Sequence, residues 1–339
     1  MTGTPRILHI TTGKDFRGGE RQLLFLHEGL LGREIESFLL VRKKSALAAM
    51  SIRNKAAFGF PAIKKIDPDI IHCHDSPSLT LGYIASVMFK KRLVFTRKTV
   101  FPIRDTWFNR LKYNRCFKIV AISNAVAALC RPVIRDQNKI EIIPDGVIVD
   151  GNDLSREQSR SDLNIPPDIF AIGIVAYFTR EKNIGLIADL AKSLQSSHPD
   201  ARIVCVGSLT PEALSKVRGL TNVILTGVVG NIEKYYRAFD LYISTSTREG
   251  LGSALIDAMV RDIPVVAKDS GGSRDLFPEN SPLLIAAGDD AGFIAVVKNI
   301  MNDTGAYAGH IAELGEFCRS RFRVRQMVDS HVALYRAAT

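Results

Sequence analysis

The stretch "LYISTSTREGLGSALIDAM", Leu241 to Met259, runs from an apolar strand pattern through a glycine-bearing turn into a helix, with two acids, Glu249 and Asp257, eight positions apart. Gly250 and Gly252 permit close backbone approach to a ligand, and the opening helix aims free amides at the same place. At about 1.5 Å per residue, Asp257 is expected some two turns into that helix, roughly 12 Å along the axis. One carboxylate can then hold hydroxyls at one end of a long ligand and the other those farther along. A nucleotide-sugar, with a diphosphate between two polyols, has that shape.

The same strand, turn and helix unit repeats outward in both directions. "RILHIT" (6–11), "SFLLV", "DIIHCH", "RLVFT", "KIVAIS" and "KIEIIP" alternate with amphipathic stretches, as do "FAIGIVAYF", "ARIVCVG", "NVILTG", "LYISTS" and "IPVVAKD". Such alternation predicts βαβ units and parallel sheets, so the fold class is α/β with two doubly wound, Rossmann-like domains. The expected boundaries are 1–150, 151–325 and a closing helix at 326–339, with the polar interval 150–168 as a linker or surface excursion. In open parallel sheets ligands collect beyond the carboxyl ends of the strands, so two facing sheets would form a cleft.

A chain of 339 residues, 46% hydrophobic, is long enough for two cores. No apolar run reaches the roughly 18 residues of a membrane span, and the start lacks the pattern of a signal peptide, which points to the cytoplasm. Five cysteines at no metal-like or redox-like spacing predict reduced core thiols. Through residue 150 there are 25 Lys and Arg against 13 Asp and Glu, and afterwards 20 against 22, so the whole positive excess lies in the first half. That predicts an anionic partner there, a membrane surface or a phosphorylated group. No recognition helix, zinc finger or aromatic ribonucleoprotein signature accompanies the basic residues, which argues against nucleic acid.

Four shorter stretches carry candidate chemistry. "RGGE" (17–20) sets Gly18 and Gly19 between a strand and a helix, where free amides and the dipole favour a phosphate, although the G-x-G-x-x-G dinucleotide spacing is absent. "HCHD" puts His72 and His74 on one strand face with Asp75 following; these could ligate a metal or face an acceptor. "TRKTVFPIR" ends a strand with Arg97 and Lys98 and adds Arg104, either a solvated edge or contacts for an anionic group. "AYFTREKN" sets Arg180 and Lys182 at a helix start, where a lysine can neutralise charge on a leaving diphosphate. The segment 41–65 is short and basic and is expected to form either a helix with apolar and cationic faces, suited to anionic lipid, or an ordinary connecting helix.

In order, "GGE", "DIIHCHD" (69–75), "VAISNAV" (120–126), "IIPDGV" (142–147), "EGLGSALIDAM" (249–259), "IPVVAKDSGG" (263–272) and "FRVRQMVDSHVALY" (322–335) span nearly the whole chain. This series resembles the family-4 retaining glycosyltransferases of the GT-B fold, whose E-x7-E motif stands here as Glu249 and Asp257. The resemblance implies that Glu249 binds donor-sugar hydroxyls, Asp257 the ribose hydroxyls and Lys182 the diphosphate. Gly19 would meet the same phosphates or the acceptor. Gly250, Leu251, Gly252 and Ser253 would complete the phosphate cradle, and Gly18, His74, Asp75, Arg97 and Lys98 would form the acceptor side.

The second acid is Asp257 where the family has Glu, the family's arginine five residues before the lysine is Tyr177, and Lys98 stands where many members carry a histidine. Arg180 could replace the missing arginine if its loop turns inward. The resemblance implies transfer of a hexose-type sugar from a nucleotide-diphosphate sugar to a cell-envelope glycan or lipid-linked acceptor. It implies no cofactor and no required metal. An epimerase or phosphorylase on the same fold, or a non-catalytic nucleotide-sugar binding protein, are the competing expectations.

Overall fold

The computed structural model describes residues 4–149 and 153–338. The chain forms two compact units, one of Met1–Gly146 with Val324–Thr339 and one of Val147–Arg323. The expected boundary at 150/151 lies outside the described residues.

In the first unit β1 (Ile7–Ile10), β2 (Ser37–Val41), β3 (Lys55–Ala57), β4 (Ile70–Cys73), β5 (Arg92–Arg97), β6 (Lys118–Ala121) and β7 (Ile140–Ile142) form a parallel sheet in the order β3-β2-β1-β4-β5-β6-β7. In the second, β8 (Phe170–Val175), β9 (Ala201–Val206), β10 (Val223–Gly227), β11 (Leu241–Ser244), β12 (Val265–Lys268) and β13 (Leu284–Ile285) follow the order β10-β9-β8-β11-β12-β13. The order reverses between β1 and β4 and between β8 and β11. The loops at those two carboxyl ends are where an open parallel sheet takes its ligand.

The strands are continuous apolar runs because helices cover both sheet faces. On one face of the first sheet Leu8, Ile10, Ile71, Leu93, Phe95 and Ile119 pack together. On the other, Ile7, Ile70 and Val94 meet Leu26 and Leu30 of the helix Gly18–Leu31 and Met327, Val328 and Tyr335 of the last helix, Val324–Ala337. Each fully buried side chain of this size contributes about 1.5–3 kcal/mol. Arg33 adds two hydrogen bonds to Asp329, at 2.6 and 3.0 Å.

Two expectations are corrected. Of the two readings of the interval 150–168, the described part overturns the linker and agrees with a surface excursion: Ser155 caps a largely exposed helix, Arg156–Asp162, by accepting from the Gln158 amide at 3.1 Å. Its Arg160 is buried, pairs with Asp240 at 2.6 Å and donates to the carbonyls of Ala238 and Ile169. The segment 41–65 is not one helix, amphipathic or connecting. It breaks into the helix Ala46–Ala49, edge strand β3 and the helix Phe60–Ile66, because Gly59 and Pro61 fit a helix start and not an interior. Leu47 and Ile63 are buried, and Phe58 and Phe60 pack on the core, so of the segment's large apolar side chains only Met50 is exposed.

Candidate functional site

In the second unit, β8 is followed by the 3-10 turn Arg180–Lys182 and the helix Ile184–Ser197, and β11 by the turn that carries Glu249. The two turns are tied together. Thr245 donates its hydroxyl to the Lys182 carbonyl at 2.6 Å, and the Thr247 amide reaches the Glu181 carbonyl at 2.8 Å. Lys182 Nζ then meets Glu249 Oε2 at 2.5 Å, and the Ser246 hydroxyl donates to the same oxygen at 3.1 Å. Both side chains of the pair keep about a fifth to a quarter of their surface exposed, so they can reach a ligand.

Glu249 is held by its backbone as well. Its amide donates to the Ser270 carbonyl at 2.9 Å, and its carbonyl accepts from the Gly272 amide at 3.0 Å, which joins the loop after β11 to the loop after β12. Gly252, at φ +102°, caps the helix Ser253–Met259 in a conformation that L side chains rarely adopt. The helix starts at Ser253, so Asp257 lies one turn in, about 6 Å along the axis, and the expected two turns are corrected.

Asp257 is buried, with Arg261 one turn on: its guanidinium lies 3.9 Å from the carboxylate and donates to the Asp257 carbonyl at 2.8 Å. Arg261 is fixed in turn by two hydrogen bonds to Asp153, at 2.8 and 3.1 Å. Sequence reading missed Arg261; its i+4 spacing from Asp257 was the available signal. Arg180 lines a cavity of about 560 Å³ with Thr210, Lys216, Thr247 and Arg248. Tyr177 is exposed.

In the first unit Gly18 and Gly19 are the first residues of their helix, and Glu20 accepts from the Arg17 amide at 3.1 Å. Lys98 donates to the Gly19 carbonyl at 2.9 Å. Burial lowers its pKa, opposed by the charges of Asp145, Glu20 and Asp75, while burial pushes Glu20 up. Lys98 and Gly19 are therefore brought together, with Asp145 as a neighbour that sequence reading did not single out.

Two acceptor-side expectations are corrected here. Asp75 caps the helix Ser76–Met88 and accepts from the Ser78 amide, the Thr11 and Thr12 hydroxyls and the Thr12 amide, at 2.6 to 3.0 Å. With four donors on two oxygens it organises the loops after β1 and β4 and has little capacity left for a ligand. Arg97 is buried and donates to the Tyr113 hydroxyl at 3.0 Å and to the Phe101 carbonyl, so it clamps the loop after β5.

His72 and His74 do share a face, joined by His9 of β1, which sequence reading missed. One nitrogen from each of the three lies within 4.8 Å of the others, a set that could hold a metal ion. His9 Nδ1 and His74 Nε2 are hydrogen-bonded at 2.9 Å, and both His72 nitrogens are engaged, with Tyr335 at 2.6 Å and Thr96 at 2.7 Å.

Residues 166–303 match the family model of the group 1 glycosyl transferases, and residues 16–150 that of glycosyltransferase family 4. The chain is built as a GT-B glycosyltransferase. It is similar to the lipopolysaccharide core biosynthesis mannosyltransferase LpsB of Rhizobium meliloti, 25% identical over 73% of this chain and 72% of that protein. The lipopolysaccharide core biosynthesis glycosyltransferase LpsD of the same organism is 24% identical over 52% of each. Among solved structures, Anabaena HepE, crystallised with UDP and glucose, superposes with a TM-score of 0.86 over 98% of this chain and all of that one, at 19% identity.

The buried histidines are expected to make the first unit of this glycosyltransferase sensitive to acid. Desolvation lowers His9, His72, His74 and His331, the last from 6.5 to about 4. Between those two values the unfolded chain holds a proton that folded His331 refuses. The contribution of His331 is therefore full above pH 6.5 and falls as pH drops, by about 1.4 kcal/mol per pH unit, until about pH 4, and the other three act in the same direction. Urea unfolding is expected to show a lower midpoint at pH 5.5 than at pH 7.5, with His331→Gln flattening the dependence. An unchanged midpoint across that range sinks the account.

Proposed function

We propose that this protein is a retaining, metal-independent glycosyltransferase that moves a hexose-type sugar from a nucleotide-diphosphate sugar to a hydroxyl of a cell-envelope glycan or lipid-linked acceptor. The second unit takes the donor and the first carries the acceptor side. The observation that carries the reading is the Lys182–Glu249 pair at 2.5 Å, beyond the carboxyl ends of β8 and β11 where the strand order reverses. The cation suits a diphosphate and the carboxylate suits sugar hydroxyls. Asp257 is the acid for the ribose, and the amides of Gly250 to Ser253 complete the phosphate cradle. The relatives that act in lipopolysaccharide core biosynthesis and the UDP and glucose of HepE support the substrate class.

In the reaction the bond from the anomeric carbon to the diphosphate oxygen breaks, and the acceptor oxygen forms its bond on the same face. The acceptor's proton passes to the departing diphosphate. Lys182 meets the negative charge that builds on the leaving group, a stabilisation realised mainly in the transition state. Glu249 and Asp257 each face a cation of the protein, Lys182 and Arg261, an arrangement that favours direct charge neutralisation over a bridging metal.

The test is a thermal-shift screen against UDP, GDP and ADP and their sugars, followed by transfer assays with the donor found and NMR of the product. One nucleotide is expected to stabilise the chain, and the product linkage is expected to keep the donor's anomeric configuration in the presence of EDTA. An inverted linkage rejects the retaining mechanism, and loss of turnover with EDTA rejects metal independence. Turnover without any acceptor favours an epimerase.

A further inference from the structure

The first unit exposes an apolar face that no function described so far uses. The helix Ser76–Met88 presents Ile84, Val87 and Met88 to solvent, and the helix Trp107–Arg115 presents Trp107, 77% exposed, and Leu111. The helices lie side by side. Tyr83 stacks edge-on against Phe108 with ring centres 5.9 Å apart, Lys112 reaches the Thr80 hydroxyl at 3.0 Å, and Arg115 reaches the Ser86 carbonyl at 3.3 Å. Their outward residues therefore form one surface.

Charge identifies the occupant. Between Ser76 and Arg135 the sequence has twelve Lys and Arg and a single acid, Asp105. Arg104, Arg110 and Arg115 are exposed beside the apolar residues, with Lys90 at the end of the first helix. An apolar patch rimmed by cations fits a surface that is oily beneath and anionic above. Tryptophan favours the headgroup region, and long basic side chains reach phosphates while their stems lie on apolar surface.

We propose that these two helices dock the protein on an anionic phospholipid bilayer, with Trp107, Val87 and Met88 entering the interface and the surrounding arginines meeting lipid phosphates. Each basic residue near such a surface adds attraction that salt screens. The proposal does not rest on glycosyl transfer, and its test needs neither donor nor acceptor.

Trp107 is the only tryptophan in the chain, so its fluorescence reports docking directly. The protein is mixed with vesicles of phosphatidylcholine alone or of phosphatidylcholine with phosphatidylglycerol. On the anionic vesicles the emission is expected to shift to the blue and the protein to sediment with lipid, both reversed by added salt. The double variant Val87→Asp, Met88→Asp changes only exposed positions and keeps the thermal melt, yet its partitioning is expected to fall about ten-fold or more. No shift on anionic vesicles, equal binding to neutral ones, or undiminished binding by the double variant overturns the proposal. So does a blue shift that follows protein concentration without vesicles, which assigns the face to a second copy of the chain.

Discussion

Lys182→Ala is expected to lower kcat for sugar transfer by about 100- to 1000-fold while leaving the fold intact. Lys182 is half-buried and contacts Glu249 at 2.5 Å, but its turn is also held by the Thr245 hydroxyl on the Lys182 carbonyl and the Thr247 amide on the Glu181 carbonyl, so removing its side chain cuts only one of the ties between the two loops. The pair keeps some solvent exposure, so the loss in unfolding free energy is expected to stay within about 1 kcal/mol. Chemistry is more sensitive than stability here, because the charge is needed most when the diphosphate departs. Nucleotide-dependent thermal stabilisation is expected to fall with kcat. Lys182→Arg restores charge with a wider, planar head and is expected to recover only part of the rate. Lys182→Ala with full kcat and normal nucleotide stabilisation would remove the lysine from the mechanism.

Much of this site was legible because its parts are local in sequence. Glu249, Gly252 and Asp257 sit in one loop and helix, and strands such as β5, β8 and β9 are apolar runs long enough to be recognised. The edge strands β3 and β13 were not legible, at three and two residues, since their pairing is decided by neighbours. Long-range partners were equally hidden. Nothing near Arg97 says that its guanidinium meets the Tyr113 hydroxyl, and His72 bonds a tyrosine 263 positions away. Asp75 looked free because its four donors come from two loops. The docking face was missed for another reason. The helix Ser76–Met88 is apolar on nearly every side, so periodicity does not separate its buried Leu79 and Ala85 from its exposed Val87 and Met88, whereas 41–65 shows a basic and apolar pattern that Gly59 and Pro61 interrupt.

Gly272→Ala is expected to damage both stability and rate, although Gly272 belongs to neither candidate catalytic residue. A Cβ there would stand inside contact distance of the Gly250 and Glu249 carbonyls, which are backbone atoms with no rotamer to retreat into. Unlike Gly252, whose positive φ is the constraint, Gly272 is required for room. The chain must move one loop away from the other, straining the bond from the Gly272 amide to the Glu249 carbonyl at 3.0 Å. Overpacking of this kind costs about 1–3 kcal/mol. The displaced backbone is that of Glu249, so the carboxylate moves relative to Lys182, and a misplacement of about 1 Å in a reacting geometry costs roughly 100-fold in rate. Gly309→Ala is the control: it lies in the helix Ala308–Arg321, where an added Cβ meets nothing within 4 Å. That variant is expected to match or slightly exceed the parent in urea unfolding, since alanine favours helix by about 0.5–1 kcal/mol. If Gly272→Ala unfolds at the parent's midpoint and turns over at the parent's rate, the contact between the loops after β11 and β12 does not position Glu249.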